Sequence, residues 1–414
     1  MEERDWDVVV IGAGAAGLLA ASQAAERGRR TLLLEKNRKP GVKILMSGGT
    51  RCNLTHSTDN RGIIDAFGPP GRFLHSALAA LGVEATIALF ESEGVPTRVE
   101  ETGKVFPVSN KATDVLEALL RRLRRSGALL ALQEPLLGLA PSAHSFTLTT
   151  PHRTLRARHV ILTTGGQSYP GCGTTGDGYP LAAHFGHTIV PPRPALVPIT
   201  VAAPWAADLP GITLPDVTIA VFEGQKRLAS RRSSLLFAHF GLTGPAALDV
   251  SRVISKQVQL ETLTLELDVL PGLAEPGVED YLRTESIASG KKQLSVVLAE
   301  YLPRRLCEAL LGLAGQPPDR RAAGLSRTDR TRLVQTLKHL RLAVTGTLGF
   351  GKAEVTTGGV ALDEIDSRSM QSKRVPGLFI AGEVLDLDGP IGGYNFQAAF
   401  STGWLAGAAA AEMG

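Results

Sequence analysis

The chain has 414 residues, of which 43% are hydrophobic and 20% are charged. This length exceeds one typical domain, so two or three domains with a sizeable core are expected. The 44 basic and 40 acidic residues give a formal charge of +4, an excess too slight to indicate a nucleic-acid-binding protein.

The three cysteines are widely separated and include no CxxC pair, which argues against a disulfide reductase and favours a reducing compartment. No apolar stretch approaches the roughly 20 residues that span a bilayer, and the first predicted strand begins too early to leave room for a signal peptide. We therefore expect a cytoplasmic protein without a membrane partner. The histidines lack metal-ligand spacing, so no metal is expected.

The first predicted elements form a dinucleotide-binding unit. In order, they are an apolar strand over residues 8–11, a glycine-rich turn, a helix over residues 18–27 and a second strand over residues 31–34. Gly12 permits the tight turn, Gly14 allows the backbone to approach a pyrophosphate, and Gly17 lets the helix pack on the strand. Glu35 ends the second strand, where a carboxylate binds a ribose and repels the 2′-phosphate of NADP. The unit therefore favours FAD or NAD.

The middle of the chain changes character twice. The first part continues with a polar loop over 47–55, a helix over 72–94, a hairpin over 101–107, a helix over 113–125 and short strands over 129–162. From residue 195 the pattern is β-rich, with period-two alternation over 262–270 that indicates a barrel or sandwich. The next part is helical and basic, and its clearest helices are predicted over 293–302, 303–310 and 327–340.

The far end of the chain returns to the first sheet. An apolar segment over residues 375–381 leads into Gly382 and Glu383, and a glycine pair at Gly392 and Gly393 precedes a predicted helix. Such a helix would direct its N-terminus at the same cofactor. We therefore predict a split FAD-binding domain over 1–194 and 346–414, a β-rich insert over 195–275 and 341–345, and a helical insert over 276–340.

Several motifs, in the same order along the chain, resemble one known family. They are the N-terminal fingerprint and the segments 47–53, 164–166, 173–179, 382–383 and 392–397. The combination is similar to the YhiN/BaiN-like family of NAD(P)/FAD-dependent oxidoreductases, also labelled aminoacetone oxidase-like flavoproteins. The resemblance covers essentially the whole chain. It implies an α/β fold with a glutathione-reductase-type, Rossmann-like FAD-binding domain, an inserted β-barrel domain and a nested helical domain. One departure is Thr50, where the family usually has a glycine, because threonine restricts the backbone.

The resemblance also implies an FAD site. Its residues would be Gly12, Gly14, Ala15, Ala16, Glu35, Lys36, Ser47, Gly48, Arg51, Cys52, Asn53, Leu136, Thr164, Gly165, Gly166, Gly382, Glu383, Asp386, Gly392, Gly393, Tyr394, Asn395, Phe396, Gln397 and Ala398. Backbone N–H groups of the last seven would face the N1/O2 edge of the flavin, where a helix dipole stabilises the reduced form. Leu136 would touch the adenine through its backbone.

Some side chains have two interpretations. Cys52 could be a redox thiol, but it has no partner cysteine, so packing is favoured. Asp177 could stabilise a turn or contact a ligand, and these alternatives stay open. Arg51, Tyr394 and Asn395 are the best candidates for polar groups near the isoalloxazine, and no catalytic acid or base is assigned.

The predicted activity is that of an FAD-dependent oxidoreductase that transfers hydride through flavin N5. The favoured reaction is NAD(P)H-driven reduction of a small organic substrate, for example at a C=C bond. NAD(P)H would bind transiently, since no second GxGxxG unit stands in strand–helix context. The alternatives are an oxygen-using amine oxidase, a tRNA-modifying flavoprotein, which the balanced charge disfavours, and a non-catalytic flavin-binding protein. The sequence leaves the oligomeric state open.

Overall fold

A computed structural model describes residues 5–142, 144–317 and 319–413. Its strands, in chain order, are β1 (Trp6–Ile11), β2 (Thr31–Leu34), β3 (Thr55–His56), β4 (Thr97–Val99), β5 (Lys104–Pro107), β6 (Leu129–Ala131), β7 (Gly138–Pro141), β8 (Phe146–Thr149), β9 (Thr154–Leu162), β10 (Ile189–Ala195), β11 (Ile199–Val201), β12 (Thr213–Glu223), β13 (Lys226–Ala238), β14 (Gly241–Thr243), β15 (Leu263–Asp268), β16 (Leu340–Thr347), β17 (Val355–Val360), β18 (Ile365–Asp366), β19 (Gln371–Ser372) and β20 (Leu378–Ile380). Its α-helices are α1 (Ala15–Glu26), α2 (Val42–Thr50), α3 (Asn60–Phe67), α4 (His75–Ala80), α5 (Val83–Ser92), α6 (Ala112–Ser126), α7 (Gly178–His184), α8 (Pro204–Ala207), α9 (Pro245–Ile254), α10 (Glu275–Ala288), α11 (Leu294–Leu298), α12 (Arg304–Leu313), α13 (Arg327–Lys338) and α14 (Tyr394–Glu412). The chain divides into two compact units, one of Met1–Pro194 with Glu354–Gly414 and one of Ala195–Ala353.

The first unit is built on a large sheet with the strand order β18-β19-β20-β9-β1-β2-β6. The five strands β6, β2, β1, β9 and β20 pair in parallel, and β19 and β18 add antiparallel at one edge. Val8, Val9 and Val10 of β1 are fully buried, as expected for a strand that is covered on both faces.

Both ends of the chain contribute to this sheet. β20 pairs with β9 through Leu378 opposite Val160, and β9 pairs with β1. The helix that follows β20, α14, packs closely against α1. A Cβ on Gly403 would lie 2.3 Å from the carbonyl oxygen of Ala16, so glycine is needed where the two backbones approach each other. The predicted return of the chain to the first sheet is confirmed.

The second unit contains a closed barrel with the strand order β11-β14-β13-β12-β15-β16. In β15, buried and partly exposed residues alternate, as the period-two pattern predicts. The expected inserted β-barrel is therefore present. α10 to α13 contribute Leu282, Leu310 and Leu333 to the same hydrophobic core as Leu267 of the barrel. The separate helical domain predicted over 276–340 thus shares its core with the barrel.

One predicted helix is interrupted. The sequence predicts a continuous helix over residues 72–94, but α4 ends at Ala80 and α5 begins at Val83. The side chain of Asn60 donates to the carbonyl of Leu78 and accepts from the N–H of Val83, at 3.1 and 3.4 Å. A Cβ on Gly82 would lie 2.5 Å from the same Asn60 side chain, so this long-range contact occupies the break.

No single helix in the described residues is long and apolar enough to cross a membrane, although the pair 69–80 and 83–92, bent by 43°, meets that length and composition together.

Candidate functional site

The glycine-rich turn after β1 leads into the N-terminus of α1. Gly12 has φ 101°, and a Cβ there would lie 2.7 Å from the carbonyl oxygen of Thr163. A Cβ on Gly17 would lie 1.9 Å from the carbonyl oxygen of Gly12. A Cβ on Gly14, in contrast, would meet nothing within 4 Å. The first and third glycines thus allow close packing, and the second keeps open the position where a helix N-terminus attracts an anion.

Glu35 holds this turn in place. Its side chain is buried, and its two oxygens accept hydrogen bonds from the N–H groups of Ala13 at 2.9 Å and Asn37 at 2.8 Å. Glu134 lies beside Glu35, because the Glu134 N–H donates to the Glu35 carbonyl at 2.9 Å. Leu136, two residues further on, packs partly buried against the sheet core. Glu35, predicted to bind the ribose, and Leu136, predicted to touch the adenine, are therefore connected through the backbone contact of Glu134.

Lys36 and Asp177 are brought together. Lys36 forms an ion pair with Asp177 and donates to Thr175 Oγ1 at 2.7 Å. Burial by itself would raise the pKa of Asp177, but the hydrogen bonds from Lys36 and Thr175 lower it overall. Asp177 is therefore held as a carboxylate by this pair, and the Lys36 ammonium is directed at it.

The last residues of α2, from Ser47 to Thr50, depart from helical geometry, and several of them have left-handed backbone. We call residues 47–53 the loop after α2. Ser47 leaves helical geometry, and Gly48 and Gly49 have φ 56° and 66°. Thr50 has φ 68°, a conformation that is strained for a threonine because its branched Cβ crowds the backbone. The departure from the family pattern at Thr50 therefore coincides with a backbone geometry that favours glycine.

Arg51 and Cys52 of this loop are both occupied by the protein, one through side-chain contacts and one through burial. Arg51 forms an ion pair with Glu100 at 2.7 Å and stacks over the Phe106 ring at 4.0 Å. Cys52 is fully buried, and burial raises the pKa of its thiol to about 12. A thiol with this pKa stays protonated at neutral pH, which agrees with the packing role favoured for Cys52.

Asn53 is the residue of this loop with the clearest ligand-binding chemistry. It is 8% exposed. Its Oδ1 atom is buried and has no hydrogen-bond partner within the described part of the chain. A Cβ on Gly393 would lie 2.8 Å from that oxygen, so Asn53 faces the N-terminus of α14. An orphaned buried acceptor normally has a partner, and the N3–H of a flavin is a donor of the required kind.

The turn after β9 lies against the glycine-rich turn. Thr163 Oγ1 donates to the carbonyls of Ile11 and Gly12, both at 2.9 Å. Thr164 Oγ1 is buried without a hydrogen-bond partner among the described residues, and Gly165 has φ 75°. A Cβ on Gly166 would lie 2.4 Å from Thr356 Oγ1. The segment 164–166 thus connects the first turn to β17.

Glu383 is the centre of a hydrogen-bond network that the sequence does not predict. Its Oε1 accepts from Ser168 Oγ at 2.8 Å and from the Thr356 N–H at 2.9 Å. Its Oε2 accepts from Lys43 Nζ at 2.5 Å. Both oxygens are therefore engaged within the protein, and Glu383 orients the turn after Gly382. Asp386 likewise accepts from the Gly358 N–H, at 3.0 Å.

The N-terminus of α14 is fixed by its surroundings. His56 Nδ1 lies 3.1 Å from the carbonyl oxygen of Gly392, and the His56 ring stacks on Tyr394 with 4.6 Å between centroids. The Asn395 side chain accepts from the Gly389 N–H at 2.8 Å, which closes the preceding loop. Tyr394 and Asn395 therefore shape this end of the helix.

Later residues of the first turn of α14 face the protein. The Gln397 N–H donates to the Gly393 carbonyl at 3.0 Å, and its Nε2 donates to Thr86 Oγ1 at 2.8 Å and to Ser401 Oγ at 2.9 Å. Ala398 is buried in the sheet core, and Phe396 lies against Phe400. Within the predicted stretch 392–398, the side chains of Phe396, Gln397 and Ala398 therefore pack within the protein.

The residues present fit an FAD molecule. The open position at Gly14, the helix N-termini of α1 and α14, and the unpartnered Asn53 Oδ1 all belong to the unit that carries the Rossmann-like sheet. His159, in contrast, lies within β9, and burial lowers its pKa, which suits a structural role. Among the described residues, no group of three or more His, Cys, Asp or Glu side chains could hold a metal ion.

This fold and this site define an FAD-dependent oxidoreductase with a Rossmann-like cofactor domain. Residues 6–409 match the family described as HI0933-like protein Rossmann domain, and the chain belongs to that family.

Relatives match over almost the full length. The chain is 36% identical over 402 residues to the ribosomal RNA dihydrouridine synthase of Escherichia coli (strain K12), covering 96% of each protein. It is 31% identical to the 3-dehydro-bile acid delta(4,6)-reductase of Clostridium scindens, covering 97% of this chain and 98% of that one. The resemblance to the YhiN/BaiN-like family is thereby confirmed.

Solved structures support the fold. The open conformation of a flavocytochrome c3 fumarate reductase matches with a TM-score of 0.52 at 17% identity, over 99% of this chain and 78% of that one. Mycobacterium smegmatis Sdh1 in complex with UQ1 matches with a TM-score of 0.51 at 15% identity, over 100% of this chain and 69% of that one.

Proposed function

We propose that this protein reduces a C=C bond conjugated to a carbonyl group, with FAD as cofactor and NAD(P)H as the transient reductant. The observation that carries the proposal is the chemistry shared by relatives that match over nearly the whole chain. Formation of dihydrouridine and reduction of a delta(4,6) bile acid both saturate such a bond. Bound FAD supplies hydride transfer at its N5 atom.

The residues of the chain would bind and orient the cofactor. Backbone N–H groups between Gly12 and Ala16 would bind the pyrophosphate at the start of α1, and Glu35 would bind the adenosine ribose. Asn53 Oδ1 would accept a hydrogen bond from the flavin ring. The start of α14 would stabilise negative charge on the reduced flavin through its dipole.

Of the two substrate chemistries, we favour a uracil base in RNA. Two relatives that are 36% and 34% identical carry the name ribosomal RNA dihydrouridine synthase, compared with 31% identity for the bile-acid reductase. The near-balanced total charge argues against an RNA substrate only if the charge is evenly distributed along the chain. The charge is uneven, because residues 276–340 contain eleven lysines and arginines against seven aspartates and glutamates.

The test is an anaerobic two-step measurement on the FAD-loaded protein. NADPH and then NADH are added while the flavin absorption is followed, and bleaching is the expected result. The reduced protein is then mixed with ribosomal RNA transcribed without modifications or with a delta(4,6)-3-oxo steroid, and a separate sample of the oxidised protein is mixed with an amine as a control. Reoxidation by RNA with formation of dihydrouridine would support the proposal. Reduction of the flavin by the amine, and not by NAD(P)H, would contradict it in favour of an oxidase.

A further inference from the structure

The positive charge of the chain is concentrated in one segment. Residues 276–340 contain eleven lysines and arginines and seven aspartates and glutamates, an excess of four positive charges that equals the formal charge of the whole chain. The remaining residues are therefore balanced. A local excess of this kind is the pattern that matters for binding a polyanion.

Many cations of this segment are neutralised within the protein. Ion pairs with carboxylates hold Arg283, Arg304, Arg320, Arg330 and Lys338. These side chains stabilise the helices and the barrel, and they contribute little free charge at the surface.

Six exposed cations of the segment differ from these, because none of them forms an ion pair with a carboxylate in the part of the chain that the structure describes; they are Lys291, Lys292, Arg305, Arg321, Arg327 and Arg332. Lys291, Lys292 and Arg321 stand apart among the six, since they belong to two segments that a β-bridge joins. We call these three residues the basic turn cluster.

The backbone brings the cluster together. Gln293 and Arg321 form an antiparallel β-bridge. The N–H of Ala322 donates to the carbonyl of Lys292 at 3.0 Å, and the N–H of Leu294 donates to the carbonyl of Arg320 at 2.8 Å. The two basic segments, distant in sequence, are thus held side by side by hydrogen bonds that do not use the charged side chains.

We propose that the basic turn cluster binds the phosphate backbone of the RNA substrate, an inference that rests on the proposed function. Lysine and arginine side chains without carboxylate partners are available for phosphate oxygens, and arginine can bind one with two parallel hydrogen bonds. Such contacts position a nucleic acid without reading its bases. An anionic membrane is the competing partner, because Ile287, 79% exposed, lies in the last turn of α10, four residues before Lys291.

The experiment measures binding of a fluorescent single-stranded oligouridylate to the FAD-loaded protein, without reductant, over a series of salt concentrations. The test variant carries Lys291→Ala, Lys292→Ala and Arg321→Ala. We expect its affinity to fall about tenfold or more at 0.1 M salt, and the slope of log K against log salt to decrease by about 2. A variant with Lys291→Arg, Lys292→Arg and Arg321→Lys should bind like the wild type.

The matched control removes the same charge elsewhere in the same unit, with Lys226→Ala, Arg227→Ala and Lys256→Ala, all at exposed positions. The control should keep most of the affinity. The proposal is overturned if the wild type does not bind RNA, if the control loses as much affinity as the test variant, or if the cluster is needed only for binding phosphatidylglycerol vesicles.

The two proposals can fail separately. If the reduced flavin is reoxidised by RNA but the test variant binds RNA normally, the proposed function stands and the docking surface is wrong. If RNA binds through the cluster but is not reduced, the surface stands and the reaction is wrong.

Discussion

The two helix N-termini predicted at the cofactor both begin with glycine, but for different physical reasons. Before α1, a Cβ on Gly14 would project into open space. Before α14, Gly393 has φ 96°, and a Cβ there would lie 2.5 Å from the carbonyl oxygen of Thr55. Gly14 therefore leaves room for a ligand, whereas Gly393 allows the helix to start against its neighbours. The same residue type leaves open space at one helix start and permits close packing at the other.

The largest effect is expected from Gly393→Ala. The left-handed backbone and the backbone clash together should lower the free energy of unfolding of the FAD-free protein by about 3 kcal/mol. Urea denaturation measures this change. Gly49→Ala is the matched control, since Gly49 has φ 66° but open space around its missing Cβ. It should lose about 1 kcal/mol, and equal losses would contradict the role of packing at Gly393.

Gly14→Ala should weaken FAD binding while changing the stability of the FAD-free protein little. The backbone φ of Gly14 is −85°, which alanine adopts without strain, so the FAD-free protein should lose less than about 1 kcal/mol. The added methyl group would occupy the position proposed for the pyrophosphate. We expect the Kd for FAD to rise about tenfold or more, equivalent to about 1.4 kcal/mol. An unchanged Kd in a fluorescence titration would show that the cofactor lies elsewhere.

Lys43→Met tests whether the C-terminal half of the site depends on the Glu383 network. The Lys43 and Glu383 side chains are 26% and 20% exposed, so solvent screens the pair only partly. The expected loss of stability is about 1 kcal/mol, with weaker FAD binding, and Lys43→Arg should restore most of both. Lys39→Met, at an exposed position just before α2, is the control and should change neither.

Thr50→Gly should give the smallest change and a favourable one. Relief of the left-handed backbone at φ 68°, less the entropy of the added glycine, should raise the melting temperature by an amount equivalent to at most about 1 kcal/mol. Thr113→Gly, in the helix α6, should instead lower it. A loss of stability at position 50 would mean that the threonine side chain has a stabilising contact.

The elements predicted well are those with local signals. Continuous apolar runs identify β1, β2 and β20, and strict alternation identifies β15. Pro303 correctly marks the boundary before α12. Each of these elements depends on residues that are neighbours in the sequence, so its signal can be recognised without knowledge of the fold.

The elements that escape prediction depend on distant partners. Lys43 and Glu383 are 340 positions apart, and nothing near either residue indicates the pair. Arg51 has the chemistry of a phosphate-binding residue, yet the hairpin β4–β5 brings Glu100 to it. The contact between Asn60 and the break before α5 is likewise visible only after folding. All of the predicted cofactor contacts, Ser47, Gly48, Leu136 and Asp386 among them, stay predictions.

The pairing of β20 with β9 has a consequence for biosynthesis. The barrel unit is one contiguous stretch, Ala195–Ala353, and it can fold on the ribosome as soon as it emerges. The sheet of the first unit must wait for residues 378–380, and α14 follows later still. We therefore expect nascent chains to acquire FAD only near the end of translation, so that the yellow colour of the protein reports that synthesis of its last helix is complete.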